Sequence, residues 1–146
     1  MNKELGNVIE LFVSKKGETK RIYCETLTID KKGVKGDKFY DKDSKRAILL
    51  TSIESYDLAL KHQISMAYGT LGENILINYN PYKMFLGQQL KIGEVVLEIV
   101  QNCTICNHLS VVDKNLPKLL KDDRGVFVQV VQAGVIRKDD KVFLLD

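Results

Sequence analysis

Two of the three cysteines in the sequence, Cys103 and Cys106, end a run of apolar residues, and His108 follows them. A thiolate is a soft metal ligand and a nucleophile, whereas a buried thiol packs as a small apolar side chain. A thioredoxin-like C-x-x-C disulfide needs a β-α-β setting, and a structural zinc ion needs four ligands, for which Cys24 or His62 would be a distant fourth. The segment is therefore compatible with a metal ligand, a nucleophile, a dithiol or simple packing.

A second chemically suggestive segment is GTLGENI, residues 69–75. Its glycines allow a ligand to approach the backbone closely, and the amide of Asn74 can both donate and accept hydrogen bonds. The same residue types are also typical of an ordinary β-turn. Arg46 and Arg124 stand at the starts of predicted strands and could bind a phosphate in a bidentate manner, although isolated arginines are more often surface charges.

The charge is unevenly distributed along the chain. Residues 15–46 hold eleven of the 22 Lys and Arg but only six of the 19 Asp and Glu, although the net charge is only +3. A basic stretch of this kind indicates either an anionic ligand or a solvated loop surface. Aromatic residues are not interleaved with the lysines, so a nucleic-acid partner is not expected.

Short apolar runs separated by Gly, Asn and Asp predict a barrel or sandwich of β-strands. The predicted strands are residues 7–14, 21–29, 46–51, 74–78, 89–93, 95–100, 125–134 and 141–145.

Two helices interrupt the strands. The first is predicted over 51–63, with Thr51 and Glu54 as a capping box and with Ile53, Tyr56 and Leu60 on its buried face. The second is predicted over 113–123, capped by Asp113 or Asn115, with Pro117 in its first turn.

The length of 146 residues and the 45% hydrophobic content predict one globular domain spanning residues 1–146. No segment has the length and apolarity of a membrane span, and the first residues predict a strand rather than a signal peptide. We therefore expect a cytoplasmic protein without a membrane partner, in a compartment where thiols stay reduced.

Five segments, taken in order, resemble the MOSC domain, the C-terminal domain of molybdenum cofactor sulfurases that also occurs as small stand-alone bacterial proteins. They are VKGDKF (34–39), RAILLTSIES (46–55), GTLGENILI (69–77), FLGQQLKIGEVVLEIVQNCTIC (85–106) and RGVFVQVVQAGVIRKDDKV (124–142). The resemblance implies a mainly β fold, a mostly antiparallel barrel with short helices like the barrel domain of pyruvate kinase.

The resemblance also implies a role with the molybdenum cofactor (molybdopterin), either in sulfur transfer to it or in the reduction of N-hydroxylated small molecules. Cys106 matches the functional cysteine, as molybdenum ligand or persulfide carrier, with Cys103 as an auxiliary thiol. The implied cofactor-binding residues are Lys35, Asp37, Arg46, Gly72, Glu73, Asn74 and Arg124.

Reduction would need a redox partner. Sulfur transfer would need a separate cysteine desulfurase carrying pyridoxal phosphate, because this chain is too short to include one. Two other functions stay open: a non-catalytic module that binds or delivers the cofactor, and a domain stabilised by zinc or a dithiol.

Two positions depart from the family pattern. Phe39 or Tyr40 stands where members often have a histidine, which would remove a polar ligand contact. Asp139-Asp140 replaces a Gly-Asp turn, and Asp adopts a left-handed conformation at modest cost.

Overall fold

The computed structural model describes residues 2–18, 20–103 and 109–145, so Cys106 and His108 lie outside the described residues. Within these ranges the chain forms mainly short strands. They are β1 (Lys3–Val13), β2 (Ile22–Cys24), β3 (Thr26–Asp30), β4 (Gly33–Val34), β5 (Ile48–Ser52), β6 (Ile75–Ile77), β7 (Gln89–Ile92), β8 (Val95–Asn102), β9 (Val126–Gln132), β10 (Gly134–Arg137) and β11 (Lys141–Leu144). The helices are α1 (Ile53–Lys61), α2 (Leu109–Val112) and α3 (Leu116–Leu119).

Seven of these strands form a closed barrel. Their order is β11-β7-β8-β9-β5-β6-β1, and pairing of β1 with β11 closes the ring. All neighbours are antiparallel except β5 and β6, which run parallel. Strand β2 extends the sheet beyond β1, and β10, β3 and β4 form a separate three-stranded sheet. The predicted mainly β barrel is confirmed.

Two groups of buried apolar side chains hold the barrel together. One fills its interior and includes Leu50, Leu97 and Val128, all of which are essentially inaccessible to solvent. The other lies beneath α1 and includes Phe12 and Tyr56. Burial of each large apolar side chain contributes about 1.5–3 kcal/mol, so these clusters dominate the stability of the fold.

Two predicted strands are divided in the structure. The predicted strand 21–29 bends at Glu25, after which the chain leaves β1 and pairs with β10. The predicted strand 125–134 ends at Gln132, and Gly134 begins a strand of the other sheet. A Cβ at position 134 would lie only 2.6 Å from Cβ of Glu94, so close backbone packing requires glycine at this crossing.

Helix α1 begins one residue later than the predicted capping box requires. Ser52, not Thr51, is the N-cap, and its Oγ accepts a hydrogen bond from the backbone N–H of Glu54 at 3.1 Å. The predicted buried face was wrong at Leu60, which is 62% exposed. Ala59 packs beside Tyr56 instead.

The predicted helix 113–123 shortens to the four residues of α3, and the four-residue helix α2 lies before the predicted range. Asn115 is the N-cap of α3, and Pro117 lies in its first turn as predicted. Asp139 has φ of 74°, which confirms the predicted left-handed turn. None of the helices within the described ranges is long and apolar enough to cross a membrane.

Candidate functional site

A cavity of about 520 Å³ lies at the meeting point of five chain segments. This volume falls within the range of small-molecule and cofactor sites. Its charged lining residues are four cations and one acid, so it favours an anionic ligand. The lining consists of Arg21, Phe39, Lys42, Asp43, Arg46, Ala47, Leu49, Leu71, Gly72, Asn74, Cys103, Arg124 and Phe127.

Two guanidinium groups flank Gly72 in the wall of this cavity. Gly72 has φ of 87°, and a Cβ there would lie 3.6 Å from Nη2 of Arg21 and 3.9 Å from Nη2 of Arg124. Arg124 is 6% exposed, and the side chain of Arg21 is 14% exposed. The glycine therefore lets the backbone approach both cations with no side chain in between.

Asp37 holds Arg21 in place from behind the cavity. Its Oδ1 lies 3.7 Å from Nη1 of Arg21 and accepts a 2.6 Å hydrogen bond from the backbone N–H of Ser14. Its Oδ2 accepts a 3.1 Å bond from the N–H of Phe39. Burial lowers the pKa of Arg21, and the charge of Asp37 opposes this shift most strongly.

Asn74 ties three segments together beside the cavity. Its Oδ1 accepts from the N–H of Leu49 at 3.2 Å, and its Nδ2 donates to the carbonyl of Phe12 at 3.2 Å and to Asp37 at 3.3 Å. The side chain is thus strongly committed to protein partners. It fixes the start of β6 against β1 and β5.

Glu73 is fully buried and lies behind the cavity wall. Its Oε2 accepts hydrogen bonds from the hydroxyls of Thr51 and Tyr56 at 2.8 and 2.5 Å. The Tyr56 hydroxyl in turn accepts from the N–H groups of Gly69 and Leu71. Burial and the charge of Glu73 raise the pKa of Tyr56 far above its ordinary value, so the phenol remains a donor.

The two phenylalanine rings of the lining each lie close to cationic side chains. The guanidinium of Arg46 lies 5.0 Å from the ring centroid of Phe127. Phe39 has Lys38 at 5.1 Å and Arg21 at 5.9 Å from its ring. These are cation–π distances, and they orient the cations next to flat apolar surfaces.

Cys103 supplies a thiol to the cavity lining and is 7% exposed. Its backbone N–H donates to the carbonyl of Gly125 at 2.9 Å, which fixes the end of β8 beside the start of β9. The predicted role of Cys106 falls outside the described residues. Among the residues that are described, no group of three or more His, Cys, Asp and Glu could hold a metal ion.

The structure sorts the predicted site residues into two groups. Arg46, Gly72, Asn74, Arg124 and Cys103 line one cavity, as expected for residues that act together. The remaining three, Lys35, Asp37 and Glu73, do not line it. Lys35 is exposed, and the two acids are buried behind the wall. Contact of any of these residues with a cofactor stays a prediction.

Sequence reasoning did not single out Arg21, Lys42 and Phe127, which also line the cavity. In the sequence, Arg21 and Lys42 stood out only as members of the basic stretch 15–46. Phe127 stood out only as part of a predicted strand.

The sequence profile of the MOSC domain matches residues 17–143, which is most of the chain. The chain belongs to the MOSC domain family. Membership of this family makes the chain a domain related to the molybdenum cofactor. No curated protein sequence matches the chain significantly.

Solved structures share the MOSC fold at low sequence identity. The YuaD protein from Bacillus subtilis superposes with a TM-score of 0.83 at 15% identity, over 99% of this chain and 98% of that one. YiiM from Escherichia coli superposes with a TM-score of 0.73 at 17% identity, over 96% of this chain and 70% of that one. YiiM from Geobacillus stearothermophilus superposes with a TM-score of 0.70 at 16% identity, over 100% of this chain and 76% of that one.

The cavity of this MOSC domain fits an anionic, partly planar cofactor. Nη1 of Arg21, 3.7 Å from the carboxylate of Asp37, is buried without a hydrogen-bond partner among the described residues, whereas Nη2 of the same guanidinium lies beside Gly72 in the cavity wall, where it can donate to a phosphate oxygen. The rings of Phe39 and Phe127 provide flat apolar surfaces in the same cavity.

Proposed function

We propose that this MOSC domain binds the molybdenum cofactor in the cavity beside Gly72. The observation that carries the proposal is the pair of guanidinium groups, Arg21 and Arg124, that flanks Gly72. Two largely buried guanidinium groups aimed at one backbone position suit a phosphate, because each can form charge-assisted, bidentate hydrogen bonds.

The other lining residues have complementary roles in this proposal. Arg46 and Lys42 add positive charge, and the rings of Phe39 and Phe127 would offer flat apolar surfaces to the pterin. The bound cofactor would supply oxygen-atom or sulfur chemistry at molybdenum, with a cysteine of the chain as metal ligand or as persulfide carrier. By resemblance that cysteine is Cys106, with Cys103 as the auxiliary thiol.

The proposed activity is the reduction of N-hydroxylated small molecules or the transfer of sulfur to the cofactor. The chain's own residues bind and orient the cofactor and partly shield it from water. Electrons come from a redox partner in the first case. Sulfur comes from a pyridoxal-phosphate-dependent cysteine desulfurase in the second. Both reactions suit the cytoplasm, where the thiols stay reduced.

The test is cofactor content in the purified full chain. The protein is produced in cells that make the cofactor and in cells that cannot, and molybdenum and pterin are measured per chain. Arg124→Gln should lose retention by about 10- to 100-fold, because a hydrogen bond to a charged group is worth about 1.5–3 kcal/mol.

Arg137→Gln is the matched control. Arg137 is an exposed arginine of β10 whose guanidinium lies 3.5 Å from Glu94. It should retain the wild-type cofactor content. Wild-type protein without pterin, or equal loss in both variants, would contradict the proposal. Stoichiometric zinc would favour a metal-stabilised domain, and bound cofactor without turnover would favour a delivery module.

A further inference from the structure

Glu73 is a buried carboxylate directly behind the wall that binds the ligand. It follows Gly72, the position that both guanidinium groups flank, yet its own side chain does not line the cavity. We infer that Glu73 sets the negative charge of the ligand that the cavity retains, by acting as a counter-charge to Arg21 and Arg124. This inference rests on the proposed function and reassigns Glu73 from a ligand contact to a specificity-determining residue.

The hydrogen bonds of Glu73 do not account for its burial. Thr51 and Tyr56 both donate to Oε2, whereas Oε1 is buried without a hydrogen-bond partner among the described residues. Leaving a buried carboxylate oxygen unsatisfied is unfavourable, and a buried charge is tolerated where an opposite charge lies close. Arg21, whose Nη2 lies beside the preceding residue Gly72, supplies such an opposite charge.

The charged surroundings support this role. Burial lowers the pKa of Arg21; the negative charges of Asp37 and Glu73 oppose this shift, whereas the positive charge of Arg124 adds to it. Asp37 is engaged by three N–H donors and by Arg21. The two phenols near Glu73, Tyr56 and Tyr82, have pKa values raised by burial and stay neutral.

The charge balance follows from these contacts. The two buried acids, Asp37 and Glu73, equal the two guanidinium groups in formal charge, and both act on Arg21. With Lys42, Arg46 and Asp43 of the lining included, only a small positive surplus remains for the ligand. Because Coulomb energy scales with ligand charge, Glu73 opposes a dianion about twice as strongly as a monoanion.

Inorganic phosphate is the probe, since it exists as a monoanion or a dianion according to pH. Its affinity is measured by calorimetry below and above the pH at which it gains the second charge. Glu73→Gln should tighten phosphate binding about tenfold, and the ratio of high-pH to low-pH affinity should rise above that of the wild type. A residue that only supports the loop would instead weaken binding when replaced.

Thr51→Val is the matched control, because it removes a hydrogen bond to Oε2 of Glu73 without changing charge. Its affinity ratio should equal that of the wild type. Weaker binding in Glu73→Gln, or an unchanged ratio, would overturn the inference while leaving the proposed function intact. Absence of phosphate binding in both the wild type and Glu73→Gln would overturn both.

A double variant covers the case in which Glu73→Gln alone does not fold. Arg21→Gln combined with Glu73→Gln removes one charge of each sign, so its affinity ratio should return to the wild-type value. Arg21→Gln alone should give a lower ratio. Equal ratios in the single Arg21 variant and the double variant would show that Glu73 exerts no charge effect, and the inference would fall.

Discussion

Nδ2 of Asn74 donates a 3.3 Å hydrogen bond to Oδ1 of Asp37, although 37 positions separate the two residues in the sequence. The same carboxylate oxygen accepts from Ser14 and lies 3.7 Å from Nη1 of Arg21. One buried acid therefore links the loop before β6, the end of β1 and a cavity cation. Its loss should affect both stability and ligand binding.

Asp37→Asn should lower the free energy of unfolding by roughly 3–5 kcal/mol, the range for breaking a buried ion pair. The amide would also turn N–H donors toward the N–H groups of Ser14 or Phe39. Urea denaturation measures the change. Asp41→Asn is the control, because Asp41 is exposed and lies 4.0 Å from Lys32, so it should cost less than about 1 kcal/mol.

Gly72→Ala should reduce phosphate and cofactor binding beyond its effect on stability. The added methyl group would occupy the approach between the two guanidinium groups, and alanine at φ of 87° costs about 1–2 kcal/mol. Gly17→Ala isolates the conformational cost, since Gly17 has φ of 85° and no other atoms within 4 Å of its added Cβ. Equal ligand affinity in the two variants would show that Gly72 is needed only for the turn.

Cys106→Ser should abolish bound molybdenum while the fold survives, because a hydroxyl is a hard and poorly ionised replacement for a thiolate. Cys103→Ser should retain most of the metal, although Cys103 lines the cavity. Molybdenum content and persulfide mass on each cysteine distinguish the two thiols. Full molybdenum loading in Cys106→Ser would contradict its assignment, and equal losses would favour a shared dithiol site.

Cys24 should react slowly with iodoacetamide at neutral pH. Burial raises the pKa of its thiol, and the nearby positive charge of Lys15 opposes the shift only in part. A raised pKa means less thiolate at a given pH, so the alkylation profile should lie at higher pH than that of free cysteine. Peptide mapping by mass spectrometry follows Cys24 separately from the other cysteines. A profile at or below that of free cysteine would contradict the prediction.

Sequence patterns predicted the barrel because its strands carry local signals. Runs such as 89–93 and 95–100 combine branched apolar residues with a turn, and they coincide closely with β7 and β8. The bend at Glu25 and the crossing at Gly134 were missed, since an apolar run does not specify which sheet it joins. That choice depends on contacts with Glu94 and β3, which are distant in sequence.

The candidate site was only partly predictable for a similar reason. Arg46 and Arg124 lie beside predicted strands within recognisable motifs, whereas Arg21 lies among many lysines and precedes a short edge strand. Its importance comes from burial against Asp37, a relation between segments that meet only in the folded chain. Thr51 likewise had a plausible local role as a helix cap. Its hydroxyl instead donates to Glu73.

The seam between β1 and β11 also constrains how the barrel is assembled. Lys3 pairs with Leu144, and the side-chain amide of Asn7 reaches the carbonyl of Asp139 across 132 positions of sequence. During synthesis the edge of β1 that pairs with β11 therefore stays unpaired until nearly all of this sequence has emerged from the ribosome. Such non-local closure slows folding toward the millisecond-to-second range. Until the barrel closes, this unpaired edge of β1 is where a nascent chain would be most open to chaperone binding or to mispairing with another copy.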